Sequence, residues 1–210
     1  MQEMQKFIHG FRRFQEDYFS EDRELFDRLK QGQRPRVVLI GCSDSRVDPS
    51  MMVRSEPGDL FIVRNVANLV PPCEHDHSYH GVSAALEYAV CHLEVEHIIV
   101  LGHSCCGGIR SLMEGIPAEK NGEYISRWVG IAERAKQQVL ETFADAPPEQ
   151  QAKACEHASI LVSLENLLTF PWIRERVEAD TLDLHGWYFD IESGNLYSYQ
   201  PASGKFELLV

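Results

Sequence analysis

Short apolar runs of strand length recur along the chain, and longer segments of helical period separate them. Val37-Val38-Leu39-Ile40, Leu60-Phe61-Ile62-Val63 and Ile98-Ile99-Val100-Leu101 are β-branched and aliphatic without polar alternation. That is the pattern of strands buried on both faces. Between the second and third runs, Val82, Ala85, Leu86, Ala89, Val90 and Leu93 trace one face of a helix. Asp48-Pro49 offers an N-cap and a first-turn proline for a short helix, and Gly107-Gly108 leads into another. Residues 123–145 and 149–169 read as helices parted by Pro147-Pro148, and Pro171 starts a further one. Leu182-Asp183-Leu184 opens a fourth strand that runs through Trp187-Tyr188-Phe189. Ser193-Gly194-Asn195 then predicts a hairpin turn with a last edge strand beyond it. Buried strands alternating with helices predict an α/β domain: a mostly parallel central β-sheet flanked by helices, with a C-terminal antiparallel edge strand.

The first 34 residues carry a different pattern. Phe7, Phe11, Phe14 and Tyr18 recur at helical spacing, which predicts an amphipathic helix. Ser20, followed by Glu21 and Asp22, marks the start of a second helix that carries Leu25, Phe26 and Leu29 and stops near Gly32 and Pro35. This aromatic stripe packs either on the parent core or, as a helical arm, across a partner subunit, and the spacing alone does not choose. No internal repeat, low-complexity tract or linker interrupts the rest. Residues 1–210 read as a single domain with an N-terminal arm over 1–34.

Composition narrows the partners. With Lys+Arg 20 against Asp+Glu 32, the formal net charge is -12, which argues against nucleic acid and anionic membrane. No stretch is long and apolar enough to span a bilayer. The N-terminus lacks the apolar centre and small-residue cleavage site of a signal peptide. A cytoplasmic protein is the default expectation, with an organelle such as the chloroplast left open. Of six cysteines, Cys73, Cys91, Cys105 and Cys155 lie mostly in or near apolar runs and read as small buried hydrophobes.

The other two belong to a candidate metal centre. Cys42 follows the first buried strand and opens Cys42-Ser43-Asp44-Ser45-Arg46; His103 follows the third, with Cys106 three residues on. In open α/β sheets ligands bind at the C-terminal edge of the strands, so these distant segments can converge. Two thiolates and an imidazole favour zinc, one ion per chain, and leave a fourth position open as catalytic sites do. Any one of the three alone would read as a core residue; together at equivalent strand ends they do not. Cys105 competes with Cys106 on spacing. Gly107-Gly108 lets the backbone pass close to the ion. A second cluster, Cys73-Glu74-His75-Asp76-His77 with His80 nearby, reads as a solvated loop rather than a metal site, with a proton relay as its only functional reading.

Water on such a zinc has a pKa lowered to about 7. Asp44 can accept a hydrogen bond from the resulting hydroxide, and Arg46 can hold Asp44 ionised by a bidentate pair. Alternatively Asp44 could swing onto the zinc, with Arg46 as the switch.

These residues resemble the β-class carbonic anhydrases, and the plant-type branch in particular. The resemblance runs in collinear order through Cys42-Ser43-Asp44-Ser45-Arg46, Pro57-Gly58-Asp59-Leu60-Phe61, Arg64-Asn65-Val66-Ala67-Asn68, Glu87-Tyr88-Ala89-Val90, Gly102-His103-Ser104-x-Cys106-Gly107-Gly108 and Leu184-His185-Gly186-Trp187. It implies zinc on Cys42, His103 and Cys106, favours Cys106 over Cys105, and makes Asp44 and Arg46 the catalytic dyad. The implied reaction is reversible hydration of carbon dioxide to bicarbonate and a proton by zinc-bound hydroxide. The implied substrate pocket has Gln33 as a hydrogen-bond donor, Phe61, Val66 and Tyr88 as an apolar wall, and Gly107 in the metal loop. Gln33 and Tyr88 would come from a neighbouring subunit, so a homodimer or higher homo-oligomer is expected and the arm would lie on a partner. His92 matches a position proposed for proton transfer. Some bacterial members resemble a second type with an inhibitory bicarbonate pocket that uses a tryptophan and a tyrosine. Leu39 and Phe189 stand there, leaving only Arg64, so that pocket is expected to be absent and Asp44 to stay off zinc at neutral pH. The alternatives are hydrolysis of carbonyl sulfide or carbon disulfide on the same scaffold, and a zinc-bearing interaction module without turnover.

Overall fold

A computed structural model describes residues 2–21, 23–76, 78–117 and 121–210. The chain divides into two compact units, Met1–Arg34 and Pro35–Val210.

In the first unit, helix α1 (Gln2–Gln15) runs into a π-helical turn over Glu16–Glu21, and α2 spans Glu24–Leu29. The second helix thus begins later than Ser20 suggested, because Ser20 belongs to the π-helical turn; Asp22 lies outside the described residues. Phe14, Tyr18, Phe19 and Phe26 pack together, with Phe19 and Phe26 stacked at 4.7 Å between ring centroids. Met4, Phe7, Ile8 and Phe11 form the other apolar stripe of α1 and are exposed.

The second unit is built on a six-stranded sheet of order β2-β1-β3-β4-β5-β6. Strands β1 (Val37–Cys42), β2 (Leu60–Asn65), β3 (His97–His103) and β4 (Asp183–Phe189) are parallel. Strands β5 (Leu196–Gln200) and β6 (Lys205–Leu208) are antiparallel. The antiparallel edge therefore has two strands: after the turn at Gly194 (φ 76), a second turn at Gly204 (φ 66) reverses the chain again. Both sheet faces are buried. Val38, Ile40, Ile98 and Val100 pack with Leu86, Val90, Ile160 and Ile173 on one face. Leu39, Ile99 and Leu101 pack with Met52, Trp187 and Phe189 on the other. Each such side chain contributes about 1.5–3 kcal/mol of burial free energy, which is why the unbroken apolar runs became central strands.

Helices α3 (Pro49–Val53), α4 (Gly81–Glu87) and α5 (Gly107–Glu114) follow β1, β2 and the metal loop. A π-helical turn over Tyr88–His92 extends α4. The segment expected as one helix over 123–145 is two, α6 (Glu123–Val129) and α7 (Glu133–Thr142), joined by a 3-10 turn at Gly130–Ala132. Glycine weakens a helix interior by about 1 kcal/mol relative to alanine, and the break lets Val129, Ala132, Ala135 and Val139 all reach one buried cluster. The long α8 (Pro148–Leu167) and α9 (Pro171–Glu178) complete the unit. Among the described residues, no helix is long and apolar enough to cross a membrane.

Candidate active site

Parallel strands β1 and β3 are neighbours, with Gly41 beside Leu101, so Cys42 and His103 emerge at the same sheet edge. Cys106 sits at the N-cap of α5 and returns to them. The ligand atoms of Cys42, His103 and Cys106 lie within 4.8 Å of one another, and all three residues are buried. Cys105 is exposed in a left-handed conformation (φ 57), and its carbonyl points to Arg46, so the converging thiol is Cys106. The other thiols are more varied than small buried hydrophobes: Cys155 is buried, Cys73 half-buried, and Cys91 exposed.

The donor set fits a zinc-class ion. His103 Nδ1 lies 2.9 Å from the Ser104 carbonyl and donates to it, which puts the lone pair on Nε2. Nε2 is buried and, among the described residues, has no hydrogen-bond partner. A buried ring nitrogen left unpaired is destabilising, and a metal between it and two thiolates satisfies it. The thiol of Cys106, above all, lowers the Cys42 pKa, with help from His103 and the backbone N–H groups of Asp44 and Ala67. The same contact with Cys42, together with burial, pushes Cys106 up. One thiolate therefore forms readily between them, and a bound cation would favour the second.

Asp44 and Arg46 form a fork-to-fork pair beside the cluster. Arg46 Nε donates to Asp44 Oδ1 at 2.9 Å, its terminal nitrogen to Oδ2 at 2.7 Å, and its backbone N–H to Oδ1 at 3.0 Å. The guanidinium holds the Asp44 carboxyl well below the usual carboxylate range. A further Arg46 bond reaches the Cys105 carbonyl at 3.1 Å, which ties the β1 turn to the metal loop.

Two residues that hold the site in place were missed as such by sequence reasoning. Arg64 at the end of β2 donates to the carbonyls of Cys42 (2.9 Å) and Asp44 (2.7 Å) and pairs with Asp48 at 2.9 Å. Asp48 in turn caps α3 by accepting from Met51 N–H at 3.1 Å, as Asp48-Pro49 predicted. Leu39 and Phe189 lie on the same face of the sheet as Arg64 by strand register, in an apolar cluster with Ile99 and Leu101. Glu156 on α8 is the second. It is buried, accepts from the Cys106 backbone N–H at 2.9 Å and from the Tyr188 hydroxyl at 2.8 Å, and burial raises its pKa. The signal was an acid on the stripe Glu156, Ile160, Ser163, Leu167 of a helix whose other members are buried.

The glycine pair divides its labour differently from expectation. A Cβ on Gly108 would meet Val66 and Ala67 side-chain atoms at 2.7 and 2.9 Å, whereas one on Gly107 would meet nothing. The close approach is thus between α5 and the loop after β2, where Ala67 (φ 64) and Asn68 (φ 48) are left-handed. Asn65 clamps that loop through both the N–H and the carbonyl of Leu69 at 2.9 Å.

Of the expected substrate wall, Val66 lies by the cluster, since it follows Asn65, the partner of Cys42. Phe61 pairs with Val38, four residues back, about 13 Å along the strand. It meets Tyr88 at 5.9 Å, and Tyr88 stacks on His92 at 5.5 Å. Within one chain Phe61, Tyr88 and His92 therefore form a group apart from the cluster. Gln33 is exposed in the first unit. In the loop after β2, Asp76 pairs with His80 at 2.5 Å and caps Ser78, and His77 lies outside the described residues.

Known proteins share this sequence pattern and fold. A sequence profile of the carbonic anhydrase family matches residues 37–196. A carbonic anhydrase from Synechocystis is 39% identical over 97% of this chain and 73% of its own length. The solved structure of the β-carbonic anhydrase CcaA superposes with a TM-score of 0.93 at 37% identity, covering 100% of this chain and 93% of the other. A β-carbonic anhydrase of Sordaria macrospora, described as tetrameric, gives a TM-score of 0.75 at 28% identity with 93% of each chain covered.

Proposed function

The chain belongs to the carbonic anhydrase family, in its β class, and from that premise we propose that it interconverts carbon dioxide and bicarbonate at a zinc ion held by Cys42, His103 and Cys106. The observation that carries this reading is the buried, unpartnered His103 Nε2 facing two thiols, with an ionised Asp44 beside them. Zinc bound there would supply a Lewis acid that lowers the pKa of water to about 7. Asp44 accepts a hydrogen bond from the attacking water and so aims its lone pair at the carbon. Arg46 keeps Asp44 ionised and, by occupying both carboxylate oxygens, keeps it off the metal. Val66 and Gly107 would border the substrate from the same chain. Phe61, Tyr88 and Gln33 would close the pocket from a second copy, and His92, stacked on Tyr88, would pass the proton to solvent. The exposed stripe of Met4, Phe7, Ile8 and Phe11 supports such a homo-oligomer, as does the tetrameric state described for the Sordaria enzymes. Gln33 and Tyr88 support the plant-type branch.

The test is stopped-flow carbon dioxide hydration from about pH 6.5 to 9, which brackets the water pKa, with zinc content measured on the same sample. Rapid turnover near neutral pH with one zinc per chain is expected. Asp44→Asn should retain the zinc and lose about 10²–10⁴-fold in kcat/KM, the range of a positioned proton acceptor. Turnover confined to high pH would place Asp44 on the metal. A zinc-loaded protein inactive across the range would overturn the reading in favour of sulfur-containing substrates.

A further inference from the structure

The sheet has a second convergence of ligand atoms, at its other end. Strands β3 and β4 start side by side, with His97 opposite Asp183. His185 lies two residues further along β4, and alternation in a strand puts Asp183 and His185 on the same face. His185 Nε2 lies 3.3 Å from His97 Nδ1, and His97 Nδ1 lies 3.5 Å from Asp183 Oδ2. All three ligand atoms are within 4.8 Å of one another. Ligands at about 2.0–2.1 Å from a tetrahedral zinc are spaced about 3.3–3.4 Å apart, so two of the three edges already have metal-site length. Without an ion, the single atom His97 Nδ1 faces both partners, and at most one proton can serve that junction.

We propose that His97, Asp183 and His185 form a second divalent-cation site, of the zinc, cobalt or nickel class, at the opposite end of the sheet from Cys42, His103 and Cys106. Two imidazoles and one carboxylate suit borderline transition ions rather than calcium or magnesium, which prefer all-oxygen cages. The surroundings attract cations. An open cleft of ≈ 810 Å³ is lined by His97 and Asp183 together with Glu94, Glu175 and Asp180, with Arg176 as the opposing charge. The chain's net charge of -12 acts in the same direction. The two sites are independent. They sit at opposite ends of β3, six residues or about 20 Å apart. The lower set has no thiol, so it binds more weakly and exchanges with solvent ions. An ion there would tie the starts of β3 and β4, whose other ends carry His103 and Phe189.

The experiment uses zinc-loaded protein dialysed to one zinc per chain and titrated with cobalt(II), followed by calorimetry and visible absorption. One further equivalent is expected, with the d–d bands of nitrogen and oxygen ligation and no thiolate charge-transfer band. Asp183→Asn should weaken that equivalent about tenfold or more, a change of about 1.4 kcal/mol. The double variant His97→Gln, His185→Gln should abolish it. Both proteins should keep their first zinc and their carbon dioxide hydration. No second equivalent at millimolar cobalt overturns the proposal. So does a second equivalent that these substitutions leave unchanged, or one that shows thiolate charge transfer.

Discussion

Strand β3 begins and ends on histidine, and the two histidines are prepared in different ways. His103, at the C-terminal end, is 1% exposed, and its ring is fixed by a backbone carbonyl. Its lone-pair nitrogen faces two buried thiols whose backbones are held by Arg64 and Glu156. His97, at the N-terminal end, is 36% exposed at its side chain, and Asp183 beside it is 70% exposed. Neither is held by a backbone group as His103 is; they meet through side chains alone. A ligand held by backbone and burial has lost its conformational entropy on folding; one held by exposed side chains loses it on binding. The upper set is therefore expected to be a resident-metal site, and the lower set an exchangeable one.

The largest effect should come from removing one upper thiolate. Cys106→Ser is expected to leave little zinc in the purified protein and to lower carbon dioxide hydration at least roughly 10³-fold, because the activated water goes with the metal. Elemental analysis and stopped flow on one preparation check both. The same variant should still take up cobalt at the lower end. Loss of both metals together would break the comparison and show that the two ends form one unit.

A smaller effect is expected behind the site. Glu156→Ala leaves the Cys106 N–H and the Tyr188 hydroxyl without their buried acceptor. Loss of a group that orients a metal ligand weakens affinity about 10–100-fold, read by competition with a chelator. Glu156→Gln keeps an amide oxygen for the Cys106 N–H and should recover most of that loss. Equal zinc affinity in the alanine variant would reduce Glu156 to packing.

The upper site was legible in the sequence because its logic is local and topological. Val37-Val38-Leu39-Ile40 and Ile98-Ile99-Val100-Leu101 could only be central strands, and a ligand directly after each had to share an edge once the strands were parallel neighbours. Asp48-Pro49 carried its own cap chemistry. What stayed hidden depends on pairings distant in sequence. Glu156 and Cys106 are 50 residues apart, and only the docking of α8 brings them together. His97 and His185 are 88 residues apart and meet only through the β3–β4 register. The break at Gly130 was hidden because the apolar period resumes in phase with the core after it. Phe61 and Tyr88 are a different case: they lie together, but away from the cluster within one chain, so the substrate role proposed for them would need a second copy.

Acid sharpens the comparison with the smallest expected effect. His157 packs edge-on against Tyr188 at 4.1 Å, behind the upper site, and its Nε2 is buried with no hydrogen-bond partner among the described residues. Burial, aided by Lys153, pulls its pKa from the ordinary 6.5 down to about 4. The unfolded chain then binds the proton more readily than the folded one, so stability is present above pH 6.5 and is lost as pH falls toward 4. Between pH 7 and 5 the loss is about 2 kcal/mol, at 1.36 kcal/mol per pKa unit. His185, lowered in the same direction, adds a loss of the same sign from the lower end. His157→Phe should remove only the upper contribution. Denaturant midpoints of the wild type and the variant should therefore converge or cross as pH falls from 7 to 5. A wild-type-to-variant difference independent of pH would mean that His157 binds its proton equally well in the folded and the unfolded chain, which overturns the burial argument.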